Sequence, residues 1–140
     1  MKILVADNNE SLAELIKYEL ENYQHQITLA SDGQKALKLV GNFYFDLIIT
    51  DILLPFYSEL ELINAINKKY KKGRPKIIIL TQIHNENTVA RAFELGIDDY
   101  LTKPFDLNFL ALQVKKLIEN IQFKDFFFFF FCGVLLLNFV

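Results

Sequence analysis

The alternation of short apolar segments with longer amphipathic ones is the feature that most constrains how this chain can fold. Apolar runs of β-strand length occupy residues 3–6, 27–30, 47–50, 76–80 and 100–102. Apolar residues recur at helical spacing in 10–21, 34–40, 59–70, 85–95 and about 106–120. The strand segments are apolar at almost every position, which is typical of parallel strands buried on both faces. The sequence therefore predicts a doubly wound α/β fold, in which five helices cover a five-stranded parallel sheet.

The size and composition of the chain fit a single cytoplasmic domain. Its 140 residues are enough to bury one core. Its 15 basic and 17 acidic residues give a net charge of -2, so charge offers no reason to expect direct nucleic-acid binding. Cys132 is the only cysteine, which excludes an internal disulfide. Because the apolar run after Met1 is too short for a secretion signal, we expect a cytoplasmic location.

The residues just beyond the predicted strands are polar and chemically distinct. Asp7 and Asn8 follow the first strand, Asp51 the third, Thr81 the fourth and Lys103 the fifth. In a doubly wound sheet, ligands bind outside the carboxyl ends of the strands, near the point where the strand order reverses. The sequence therefore predicts one polar cluster on a single rim of the sheet.

Two segments of the sequence closely resemble motifs of a known protein family. Residues 46–55, DLIITDILLP, resemble the phosphoacceptor segment of bacterial response-regulator receiver domains, and residues 96–105, GIDDYLTKPF, resemble their last strand and loop. Residues 2–12 and 77–81 match more loosely. The resemblance covers residues 1 to about 121 and is strongest to the receivers of OmpR/PhoB-type DNA-binding regulators. It implies a flavodoxin-like sheet with strand order 2-1-3-4-5.

The resemblance also implies a reaction and a metal. A sensor histidine kinase would supply a phosphoryl group, and Asp51 would accept it. A Mg²⁺ ion would be held by Asp51, by the pair Asp7 and Asn8, and by the backbone carbonyl of Leu53. Oxygen ligands of this kind suit Mg²⁺, which retains several water ligands.

The remaining site residues follow from the same resemblance. Lys103 would pair with one phosphoryl oxygen and Thr81 would donate a hydrogen bond to another. Thr81 would then shift inward and Tyr100 would turn with it, which changes the surface formed by the fourth helix, fifth strand and fifth helix. The chain would catalyse its own phosphorylation and dephosphorylation, and we expect no turnover of an external substrate.

Several residues depart from the family pattern. Asn8 stands where a second acid usually binds the metal, and the neutral amide predicts weaker Mg²⁺ affinity. Glu59 replaces a residue that is often glycine, and Gln82 replaces a small residue after the threonine. These departures keep open an alternative, a degenerate receiver that acts as a phosphorylation-independent interaction module. An electron carrier of the flavodoxin type is disfavoured because the acidic first loop, 7–10, would repel a phosphate.

Dimerisation through the predicted switch surface also stays open. In the DNA-binding branch of the family this surface dimerises through charged pairs. Here Gln113 stands where an arginine is expected, and Phe109 stands where an acid is common. The sequence therefore gives only partial support for a homodimer.

The last segment does not fit the receiver pattern. Six phenylalanines at 126–131 begin a run that stays almost entirely apolar to residue 140, shorter than the ~20 residues that span a membrane. We therefore predict a receiver domain at 1–121 and an apolar tail at 122–140, without an output domain and without membrane contact by the tail. Our hypothesis is a frameshift or truncation at a homopolymer tract, which the coding DNA read in all frames would test. The alternatives are a membrane-surface anchor and a patch that extends the last helix for a partner.

Overall fold

The sheet has the predicted architecture. A computed structural model describes residues 1–51, 61–82 and 86–119. Its five strands are Lys2–Ala6 (β1), Gln26–Ala30 (β2), Leu47–Asp51 (β3), Lys76–Thr81 (β4) and Asp99–Thr102 (β5). All neighbours pair in parallel, in the order β2-β1-β3-β4-β5. This confirms the expected parallel sheet and strand order, and it places β1 beside β3 at the centre.

The predicted helices are present to within a few residues at each described end. They are Glu10–Glu21 (α1), Gly33–Asn42 (α2), Glu61–Lys69 (α3) and Glu86–Glu94 (α4), followed by a fifth helix at 107–119 (α5). Two of them begin at a side-chain cap. The Asn9 side chain accepts a hydrogen bond from the Leu12 N–H at 3.1 Å, and Asp32 accepts one from the Lys35 N–H at 2.8 Å. Each cap pairs a backbone donor that the helix leaves without a partner.

The central strands are buried on both faces, as their apolar sequences predict. Every residue of β3 is buried, and β4 is buried from Ile77 to Thr81. One core cluster combines strand residues such as Ile48 and Ile79 with residues of α2, α3 and α4. The described residues up to Leu107 form one compact unit, and the described residues from Asn108 to 119 belong to another. Within the described ranges, no helix combines the length and apolarity that crossing a membrane requires.

Gly96 ends α4 and sets the path into β5. The Gly96 N–H bonds to the Phe93 carbonyl at 2.9 Å, and the Ile97 N–H bonds to the Ala92 carbonyl at 3.2 Å. These two bonds form a Schellman motif, which needs a positive φ at the residue after the helix. Gly96 has a φ of 96°, and a Cβ there would lie 2.2 Å from a guanidinium nitrogen of Arg74. The positive φ therefore favours glycine here, whereas the Arg74 guanidinium, at the end of a flexible side chain, could move aside for a Cβ.

Carboxylates hold the amino ends of two central strands. Asp46 accepts a hydrogen bond from the Lys2 N–H at 2.8 Å, at the start of β1. Asp98 accepts one from the Ile77 N–H at 2.9 Å near the start of β4, and the Lys76 ammonium lies 3.4 Å from its other oxygen. These contacts fix the strand ends that lie opposite the polar rim.

We expect Asp98→Ala to lower the free energy of unfolding by about 1–2 kcal/mol, because the Ile77 N–H loses its acceptor. Urea unfolding followed by circular dichroism measures the change. Glu94→Ala, at an exposed position in α4, is the control and should change stability little. Equal effects of the two substitutions would contradict a specific role for Asp98.

Candidate functional site

Three charged side chains meet at the carboxyl edge of the sheet. The ammonium of Lys103, just after β5, lies 2.6 Å from Oδ2 of Asp7 and 2.8 Å from Oδ2 of Asp51. Asp7 directly follows β1, and Asp51 is the last residue of β3. Because β1 and β3 are neighbours, their carboxyl ends bring the two acids together. We call Asp7, Asp51 and Lys103 the rim cluster.

The rim cluster is shielded from solvent. Asp7 is 1% exposed, Asp51 is 9% exposed, and the Lys103 side chain is 10% exposed. Buried charges persist in proteins when they are paired and hydrogen-bonded, as these are. Burial by itself disfavours the ammonium. The hydrogen bonds that the ammonium donates to Asp51 and Asp7, and its attraction to both carboxylates, outweigh burial and raise the pKa of Lys103. Lys103 therefore remains a cation at physiological pH.

Backbone contacts position both ends of the cluster. Oδ1 of Asp7 accepts a hydrogen bond from the Asn9 N–H at 2.8 Å, so both oxygens of this carboxylate are engaged. The Lys103 N–H donates to the Thr81 carbonyl at 2.8 Å, which ties the lysine to the end of β4. The sequence analysis did not single out Asn9. The sequence offered one indication of its role, because asparagine is a common N-cap residue and Asn9 stands just before a predicted helix.

Other residues of the predicted site differ in their surroundings. Thr81 is buried, at 1% exposed, as the last residue of β4, whereas Asn8 is exposed. Tyr100 is 37% exposed and packs its ring edge-to-face on Phe93 of α4, with ring centroids 5.9 Å apart. Leu53, the expected carbonyl ligand, lies outside the described residues.

The donor atoms of the rim suit a hard cation. Asp7 and Asp51 offer carboxylate oxygens, and Asn8, the next residue after Asp7, carries an amide oxygen on an exposed side chain. Such oxygens fit Mg²⁺, which needs few protein ligands and keeps several waters. Within the described part of the chain, no group of three or more acidic, histidine or cysteine side chains is placed to hold a metal. The weaker Mg²⁺ affinity expected from Asn8 stays a prediction.

Comparison with known sequences identifies the family. Residues 3–115 match the family described as response regulator receiver domain. Response regulator RR06 of Streptococcus pneumoniae is 34% identical over 120 residues, which are 86% of this chain and 54% of the relative. The alkaline phosphatase synthesis transcriptional regulatory protein PhoP of Bacillus subtilis is 36% identical over 119 residues, 85% of this chain and 49% of the relative. The chain thus spans about half the length of these relatives.

The fold is also similar to those of solved receiver domains. The receiver domain of the Francisella response regulator 1452 superposes with a TM-score of 0.77 at 31% identity, covering 86% of this chain and 98% of that one. The BeF3-activated DrrB receiver domain superposes with a TM-score of 0.74 at 28% identity, covering 84% and 97%. From its fold and these matches, the chain belongs to the response regulator receiver domain family.

Proposed function

We propose that this chain is the phosphoryl-accepting part of a phosphorelay and that Asp51 takes the group from a phosphohistidine of a sensor histidine kinase. One observation carries the proposal: the Asp51 carboxylate lies 2.8 Å from the Lys103 ammonium on a shielded rim. In the transfer, a carboxylate oxygen forms a bond to phosphorus while the bond from phosphorus to the imidazole nitrogen breaks. The product is an acyl phosphate on Asp51.

The surroundings of Asp51 supply what this transfer needs. Phosphoryl transfer depends on positioning and on balancing the charge of the phosphoryl oxygens more than on covalent help from the protein. Lys103 brings a fixed positive charge beside the nucleophile and can pair with one phosphoryl oxygen. The Thr81 hydroxyl, at the end of the neighbouring strand, can donate to another. These two roles follow the family pattern and are part of the proposal.

We include Mg²⁺ in the proposed reaction. Asp7, Asp51 and the amide of Asn8 would hold it, with the Leu53 carbonyl as the expected further ligand. When bound, Mg²⁺ would neutralise charge on the phosphoryl oxygens. Asn8 lowers the negative charge at the rim by one unit relative to an acid, so this receiver should need more Mg²⁺ than one with two adjacent acids.

The rim cluster also bears on the alternative of a degenerate receiver. That alternative rested on Asn8, Glu59 and Gln82. Gln82 is exposed and Glu59 lies outside the described residues. Asn8 does replace one acid of the family pattern, but the Lys103 ammonium contacts both Asp7 and Asp51, so the proposed acceptor and its cation are in place. We therefore prefer the phosphorylatable receiver.

The proposed output is a change of surface. Thr81, buried at the rim, would follow the phosphoryl group, and Tyr100 would leave its exposed contact with Phe93. A kinase would act as donor, and transcription regulation, named for the PhoP relative, would belong to a longer protein. Homodimerisation and a cytoplasmic location remain predictions.

We expect the full chain, mixed with acetyl phosphate and Mg²⁺, to gain the mass of one phosphoryl group, and Asp51→Asn to gain none. Intact-mass spectrometry measures the adduct. The control is Asp99→Asn, which keeps an acceptor for the Tyr100 N–H at the start of β5 and should react like wild type. An adduct that persists in Asp51→Asn would contradict the assignment. A folded wild type that forms no adduct at millimolar Mg²⁺ would favour the interaction module.

We expect Asn8→Asp to lower the Mg²⁺ concentration for half-maximal binding by about tenfold, since it adds a charged oxygen ligand at the rim. Titration of backbone amide shifts with Mg²⁺ measures the affinity. Asn9→Asp is the matched control, because it adds the same charge one residue later and keeps the cap of α1. If both variants gain affinity equally, position 8 is not a direct ligand and only net charge matters.

A further inference from the structure

Thr50 is a buried polar side chain among hydrocarbon neighbours. It is 3% exposed, and it lies beside Ala6 of β1 and Ile79 of β4 in the sheet. The preceding residues of β3, 47–49, are all aliphatic and buried. A buried hydroxyl is unfavourable unless it is hydrogen-bonded, so a valine of nearly the same shape would suit this position better for packing alone. The hydroxyl therefore calls for an explanation.

The contact made by this hydroxyl gives one. Oγ1 of Thr50 donates a hydrogen bond to the backbone carbonyl of Asp51 at 3.0 Å. Successive side chains of a strand point to opposite faces, so the hydroxyl acts from the face opposite the Asp51 carboxylate. We therefore expect its effect on the rim cluster to pass through the backbone of Asp51.

The geometry points to Thr50 as a positioning residue for Asp51. Threonine is β-branched and has a restricted χ1 angle. Its hydroxyl can therefore limit rotation of the peptide group that follows Asp51 at the end of β3. Holding that peptide group keeps the Asp51 carboxylate oriented toward Lys103, which lies 2.8 Å away. This inference rests on the proposed function of Asp51 as phosphoryl acceptor. It adds a residue that touches neither phosphate nor metal.

Two substitutions separate the hydroxyl from the methyl group of Thr50. Thr50→Val keeps the shape and the strand preference but removes the donor, whereas Thr50→Ser keeps the donor and removes the methyl group. We expect the full chain with Thr50→Val to form the acyl phosphate about fivefold more slowly, the factor that one ordinary hydrogen bond is worth. Thr50→Ser should stay within about twofold of wild type. Acetyl phosphate at saturating Mg²⁺ is the donor, and intact mass against time gives the rate.

A second measurement reports the contact without any phosphorylation. The ¹³C shift of the Asp51 backbone carbonyl should move in Thr50→Val and stay close to wild type in Thr50→Ser. An unchanged carbonyl shift in Thr50→Val would overturn the inference, because the hydrogen bond would then be absent from the folded protein. This readout applies to any folded variant, whatever its reactivity.

The rates then decide the role. A slow Thr50→Val with a normal Thr50→Ser supports positioning by the hydroxyl. Thr50→Val at the wild-type rate overturns it, and so does an equal loss in both variants, which would indicate packing. A wild type that gains no phosphoryl group would overturn the proposed function of Asp51 and this inference with it. The carbonyl shift distinguishes that failure from loss of the Thr50 contact.

Discussion

The contact of one ammonium with two buried carboxylates is the interaction on which the rest of the site depends. Without Lys103, Asp7 and Asp51 would place two negative charges together where little water reaches them, which proteins avoid. The fold brings the three together through the order of the strands, because β1 and β3 are neighbours and β5 ends beside β4. The bond from the Lys103 N–H to the Thr81 carbonyl then fixes the lysine to the same rim.

In the proposed function, the same charge balance would help the rim to accept an anion. Asp51 is held beside a cation before any phosphoryl donor arrives, so little rearrangement is needed when negative charge is brought in. Asn8 makes this receiver less negative than one with two adjacent acids. It would therefore reduce repulsion at the rim and, in the proposed site, leave one charged metal ligand fewer. In the proposed reaction, Asn8 would therefore affect both the Mg²⁺ requirement and the ease of transfer.

The fold and the rim could be predicted because they depend on local patterns. Continuous apolar runs indicate parallel strands, and the position after a strand indicates the rim, which is how Asp51 and Lys103 were identified. The strand order came from family resemblance, since periodicity does not say which strands are neighbours. The bonds made by Thr50 and by the Asn9 N–H could not be predicted, because they depend on the placement of individual atoms. The domain boundary at 121 and the tail lie outside the described residues and remain predictions.

A double-mutant cycle on Lys103 and Asp7 tests the central claim, that one ammonium balances two carboxylates. Urea unfolding without Mg²⁺ gives the free energies for Lys103→Met, Asp7→Asn and the pair. We expect Asp7→Asn to leave stability unchanged or lower it when Lys103 is present, and to raise it by about 1–3 kcal/mol in Lys103→Met, where it removes an unbalanced charge. The same change in both backgrounds would mean that the three groups do not act together, and would contradict the account.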